Sequence, residues 1–114
     1  MPRYKLIVLS SPVAGREADF DLWYQNIHLP EMMTISGFQS AQRFRLTESL
    51  AEKDGFPFLT IYEIETNDVP ALLDEVRKRA GNGRLTISDS LSPQVYAVAY
   101  EPVGPAVTAA AGGS

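Results

Sequence analysis

Two stripes of helical period stand among four runs that alternate, and their order along the chain leaves few folds open. Residues 3–10 set Tyr4, Leu6 and Val8 against Lys5, Ile7 and Leu9, which predicts a strand with both faces largely apolar. Pro12 and Gly15 break it. Phe20, Trp23, Tyr24 and Ile27 then repeat at spacings of three and four, predicting a helix over about 16–27. Glu17, Asp19 and Asp21 suit the positive end of its dipole. Pro30 biases Leu29 away from helical angles, so this helix is expected to end or kink at His28, with a short helical turn over 30–34.

Gly37 opens a second strand over 38–46. Phe38, Ser40, Gln42, Phe44 and Leu46 are expected on one face, Gln39, Ala41, Arg43 and Arg45 on the other. A polar connection with a turn signal at Asp54-Gly55 leads to a third strand over 57–65, completing a long hairpin. Asp68 is the expected N-cap of a second helix that buries Leu72, Leu73 and Val76 and stops at Gly81. Residues 82–93 are read as a connection with a short strand or one turn of helix. The last strand covers 94–101, with Val95, Ala97 and Ala99 opposite Tyr96, Val98 and Tyr100.

The order β-α-β-β-α-β is the split, ferredoxin-like α+β arrangement, with a four-stranded antiparallel sheet. Two helices cover one face of such a sheet. Here both faces carry apolar residues, so the bare face calls for a partner, and pairing of two sheets in a homodimer is the simplest. The expected domain is 1–102, followed by a flexible tail over 103–114 that is rich in Ala, Gly and Pro.

Composition removes whole classes of function. No Cys means no disulfide, thiolate metal site or cysteine nucleophile, and one His without an acidic cluster argues against any metal site. The net charge of −4 with interspersed signs argues against nucleic acid. Apolar runs fall well short of the roughly 20 residues of a membrane span. The first ten residues read as a strand rather than a signal peptide, so a cytoplasmic location is expected. No phosphate loop or nucleophile elbow is present.

The run Trp23-Tyr24, His28-Leu29-Pro30-Glu31, Gly37-Phe38 and Gln42-Arg43-Phe44-Arg45, with Ser88-Asp89-Ser90-Leu91 before the last strand, resembles the EthD-like group of the dimeric α+β barrel superfamily. The resemblance spans about residues 3–102. It implies ferredoxin-like protomers that dimerise through their sheets, each keeping a small-molecule pocket between sheet and helices. Relatives in that superfamily include cofactor-independent monooxygenases, polyketide cyclases, lactone isomerases, lyases and haem-degrading enzymes. The resemblance therefore implies a scaffold and leaves the reaction open.

His28, Tyr24 and Arg43 are the expected catalytic residues. An imidazole titrating near ~6.5 moves protons at neutral pH, although a His at a helix end also caps free carbonyls. Tyr24 could donate to a substrate oxygen or orient His28; as a core aromatic it would do neither. Arg43 and Arg45 could fork onto a carboxylate or enolate, or pair with Glu63 and Glu65 across the hairpin. Arg43 is the functional choice because it belongs to the run that carries the resemblance. Phe20, Trp23, Glu31, Arg45, Tyr62 and Asp89 complete the expected substrate-binding set. Glu31 would either hold the His28 tautomer or sit at the start of its helical turn. Tyr62 fits a core or interface aromatic as well, and Asp89 a turn cap.

The expectation is a cofactor-independent enzyme in which His28 transfers a proton on a hydrophobic, oxygenated small molecule. Cyclisation, isomerisation, elimination or oxygenation would follow from that step. The alternatives are a non-catalytic pathway accessory that binds a small ligand and a haem-binding protein with His28 as axial ligand.

Overall fold

The computed structural model describes residues 1–51 and 55–110. Asp54 of the expected turn and residues 111–114 of the expected tail lie outside them. Strands β1 (Arg3–Ser10), β2 (Phe38–Arg45), β3 (Phe58–Glu65) and β4 (Tyr96–Tyr100) form one antiparallel sheet in the order β2-β3-β1-β4. The helices are α1 (Glu17–Trp23), a π-helical turn (Tyr24–His28), α2 (Leu29–Met32) and α3 (Val69–Asn82). The α+β, ferredoxin-like architecture is the one the order of periods requires.

One sheet face lies under the helices. Leu6 on β1, Tyr62 and Ile64 on β3 and Phe38 on β2 pack against Phe20, Trp23, Tyr24, Met32 and Leu72, all at most 7 % exposed. Burying an aromatic or branched side chain of this kind contributes about 1.5–3 kcal/mol, so this layer holds the domain together. The opposite face carries Ile7, Leu9, Leu59 and Ile61 in register, with Phe44 and Tyr96 beside them at 40 % and 45 % exposure. Ion pairs of Arg3 with Glu65 and Lys5 with Glu63 close one end of that face.

Three expectations are corrected. A bulge at Gln39 separates the pairs Phe38↔Ile64 and Ser40↔Glu63, so Phe38 joins Ala41 and Arg43 on the helix face instead of facing away with Ser40. Arg43 and Arg45 do not pair with Glu63 and Glu65, because the register sets them opposite Thr60 and Phe58. The second helix runs through Gly81 to Asn82 and ends at Gly83, whose φ of 84° supplies the left-handed cap. Its other end is as expected: the Asp68 carboxylate accepts from the Ala71 amide at 3.0 Å.

Gly37 starts β2 at a φ of 104°, and a Cβ there would come within 3.1 Å of Leu72 and 3.2 Å of the Glu65 carbonyl. A glycine is what lets the chain turn between sheet and α3. Residues 84–95 hold neither strand nor helix, only one bridge between Pro12 and Leu91. Leu85 is nonetheless buried in the core, and Val103 and Val107 beyond β4 are almost fully exposed.

Candidate functional site

Pro30 shapes the site. It lacks an N–H, and its ring crowds the carbonyl four residues earlier, so an ordinary helix is expected to break here. The chain widens instead. The Leu29 amide donates to the Tyr24 carbonyl five residues back, and Leu29 keeps helical angles of −61° and −46°. The expected break at His28 is thus replaced by a π turn that carries the helix on to Met32, keeping Leu29 and Met32 buried.

The turn arranges three rings. His28 stacks on Trp23 with centroids 4.8 Å apart at 28°, and meets Tyr24 edge-on at 5.1 Å and 89°. The Trp23 indole N–H is tied to the Thr86 carbonyl at 2.7 Å, which fixes the ring on which His28 rests. Glu31 holds the same loop, accepting from the Thr86 amide at 2.7 Å and from its hydroxyl at 3.0 Å.

The three rings help to wall a cavity of about 180 Å³ between β1, β4 and the helices. Leu6, Val8, Met32, Leu85 and Leu91 make most of the lining apolar, and the exposed Ile87 and Val95 stand at its rim. Ser10, Tyr24, His28 and Tyr62 contribute the polarity besides the indole. The Ser10 hydroxyl and the His28 Nδ1 are buried and have no hydrogen-bond partner among the described residues; the Tyr62 hydroxyl is buried beside that of Tyr24, and the buried Nε of Arg43, beyond Tyr24, is also unpartnered. Buried polar atoms nearly always find a partner, so two orphans around one cavity are a signal. Burial pushes the His28 imidazole down from 6.5 to about 4, against a smaller upward pull from Glu31. It is neutral at pH 7. Burial also pushes the Tyr62 phenol up, and neighbouring Tyr24 adds to this.

The remaining expected site residues sit elsewhere. Phe20 is fully buried behind the cavity, against Trp23, Tyr24 and Phe58. Arg43 lies on the far side of Tyr24, its guanidinium 5.0 Å from that ring's centre and 2.6 Å from an Asp21 oxygen. Arg45 lies over Phe58 in the open groove beside it. Asp89 is exposed and pairs with Arg16 at 2.9 Å. Ser10 was absent from the expected set. Its signal was positional: it continues the series Tyr4, Leu6, Val8 on the inner face, a hydroxyl at a place the pattern reserves for an apolar side chain. The cavity is smaller than the roughly 300 Å³ at the lower end of ordinary ligand pockets, so a porphyrin would extend well beyond it.

No family model and no curated protein matches the chain. Solved structures do. An EthD family protein of Bacillus halodurans is 22% identical over 89% of this chain and 99% of its own, with a TM-score of 0.60. A dimeric ferredoxin-like protein of unknown function from Jannaschia is 16% identical, covering 88% and 99%, at 0.61. A Bordetella bronchiseptica protein provisionally named an antibiotic biosynthesis monooxygenase is 15% identical, covering 90% and 99%, at 0.64. The chain therefore has the ferredoxin-like fold seen in EthD and related dimeric α+β barrel proteins. Among the described residues no helix is long and apolar enough to cross a membrane.

Proposed function

We propose that a chain with this fold works as a homodimer in the cytoplasm and handles a hydrophobic, oxygen-bearing small molecule, on which His28 moves a proton. The observation that carries the reading is the set of unpartnered polar atoms around an apolar cavity, with His28 Nδ1 among them. A neutral imidazole can take a proton from a phenol or from the carbon beside a carbonyl. The imidazolium then formed lies against the negative charge it has created, and that pairing offsets the burial that keeps the free ring neutral. The Tyr24 and Tyr62 hydroxyls are the donors for the developing oxyanion. Arg43 serves the site only by position: its guanidinium, bound to Asp21, packs over the Tyr24 ring and holds it in place. The bare apolar sheet face supports dimerisation, and the provisional monooxygenase name of one fold neighbour is in keeping with enzymatic work on such molecules.

Solvent-deuterium uptake beside the carbonyl of a cyclic ketone, followed by NMR, tests this. The expected result is uptake accelerated by the protein and reduced about 10²- to 10⁴-fold in His28→Gln. Equal uptake in the two proteins would remove His28 as the base.

A second reading is supported by the same ring. An imidazole lowered to about 4 is a weak base, which suits a binding protein in which His28 only accepts a hydrogen bond. Ligand binding without any accelerated exchange would select it.

A further inference from the structure

We infer that Thr86 and Ile87 form a flap over the cavity mouth, clasped at Thr86 by the positioning residues Trp23 and Glu31: closed, it keeps His28 dry, and its release admits ligand and water together. This regulation rests on the proposed function only for the role of His28. The flap belongs to the stretch between α3 and β4, from which Leu85, Ile87 and Leu91 line the cavity.

The clasp follows from what Thr86 touches. Its carbonyl accepts from the Trp23 indole N–H at 2.7 Å, and its amide and hydroxyl donate to the two Glu31 oxygens at 2.7 and 3.0 Å. All three polar groups of an exposed residue are thus taken by two side chains. Those side chains bracket His28, one at the end of α1 and one on α2, so the bonds tie the stretch across the π turn. His28 stacks on the clasped indole, which brings its ring under the same control.

On either side of the flap the chain is anchored. Leu85 is buried in the core, and its amide donates to the Arg79 carbonyl at 3.0 Å. Beyond Ile87, the Ser88 hydroxyl accepts from the Ser90 amide at 3.0 Å, the Val13 amide donates to the Ser90 carbonyl at 2.7 Å, and the Ser92 amide to the Ser11 carbonyl at 2.9 Å. Thr86 and Ile87 are left between these anchors, with two of the three clasp bonds exposed to water and Ile87 half exposed at the rim. Exposed bonds on a segment without regular structure open first. Moving Ile87 outwards widens a cavity of about 180 Å³, which is small for a ligand pocket.

The flap governs His28 through water. The titratable groups around the ring are Tyr24 on its own turn, Tyr62 on β3 and Glu31 on α2; the lining from β1, β4 and α3 holds none. Burial is the main reason that the imidazole titrates at about 4, and Glu31 pulls the other way. Glu31 therefore has two opposed effects. Its charge raises the titration point of His28 directly, and its hold on Thr86 lowers it by keeping water out.

One Trp and one His make the test specific to the site. NMR titration of the imidazole and acrylamide quenching of the indole fluorescence are compared in the wild type, Glu31→Ala and Glu31→Gln, with circular dichroism to establish folding. Glu31→Ala removes two of the three clasp bonds. Its His28 is expected to titrate about 1–2 pH units higher despite the lost carboxylate charge, and quenching to increase. Glu31→Gln keeps an oxygen for the Thr86 amide, so its His28 should titrate no higher than in the wild type and its quenching should stay close to it. A Glu31 that acted by charge alone would lower the titration point alike in both variants. Trp23→Phe, which keeps a ring under the imidazole and loses the indole N–H, should also raise the titration point, and it decides the matter if Glu31→Ala does not fold. No rise in a folded Glu31→Ala or Trp23→Phe, or unchanged quenching in Glu31→Ala, would overturn the inference. The deuterium exchange is read separately: a raised titration point without accelerated exchange would keep the flap and remove proton transfer, whereas accelerated exchange without the rise would keep the proposed function and remove the flap.

Discussion

Tyr24 divides two polar regions that have similar ingredients and differ in how far their hydrogen bonds are met. On one side Arg43 is largely engaged: Asp21 binds a terminal nitrogen, and the rings of Phe20, Tyr24 and Phe58 surround it at 5.0–5.6 Å, with its Nε alone left unpartnered. On the other, the Ser10 hydroxyl and the His28 Nδ1 are buried beside an apolar space with no partner among the described residues. The contrast teaches that a strong functional group is informative only once its partners are known. The guanidinium is the stronger recognition group in isolation. Here it braces the wall, while a serine hydroxyl and an imidazole nitrogen are left without a partner.

The largest effect that would sharpen this contrast belongs to His28. The unfolded chain takes up its proton near 6.5, the folded chain only near 4. Between those values the unfolded state binds more protons, so stability is complete above about pH 6.5 and falls as the pH drops towards 4. The loss attributable to this ring is at most about 3 kcal/mol. Urea unfolding from pH 7 to 4 should show it in the wild type, and His28→Gln should lack that part of the slope. Parallel slopes would mean that the imidazole is not held neutral.

Next comes Arg43→Met, expected to lower unfolding free energy by about 2 kcal/mol through loss of the Asp21 bond and the ring contacts. Ligand affinity should stay unchanged. A variant that loses affinity and keeps its stability would erase the distinction between the two regions.

Tyr62→Phe should act in the opposite direction. Removing the buried hydroxyl relieves a desolvation penalty that its contact with Tyr24 offsets only in part, so Tm should rise slightly, by the equivalent of about 0.5 kcal/mol, while binding of a phenol weakens. A fall in Tm would indicate that the hydroxyl is satisfied in solution. The smallest effect is expected for Glu31→Ala, about 0.5–1 kcal/mol, since its bonds to Thr86 are exposed. Its value lies in the rim: amide exchange at Thr86 and Ile87 should quicken, and unchanged exchange would show that Glu31 does not hold that loop.

Much of the architecture was legible because period, capping and turn chemistry are local. Asp68, Gly37 and the alternation of β1 and β3 state their roles within a few residues. The bulge at Gln39 was not legible, because one extra residue changes the face of Phe38 without changing the composition of the strand. The site was half legible. Trp23, Tyr24 and His28 share one stretch of chain, so their proximity follows from helical spacing. Ser10 and Tyr62 meet them only through the sheet, and the pairing of Arg43 with Asp21 depends on how α1 crosses β2. Pro30 misled for an instructive reason. The rule that a proline ends a helix holds for an α-helix, and the chain escapes it by changing the kind of helix.

That escape has a genetic consequence. A π turn is an α-helix with one residue to spare, and the surplus here falls among Gln25, Asn26 and Ile27, all exposed. Deleting Asn26 alone would restore α-helical spacing and drive the proline ring against a carbonyl, so the deletion should be harmful. Combined with Pro30→Ala it should be tolerated. The two changes would behave as lesion and suppressor, with the histidine carried to a new bearing on an otherwise intact helix.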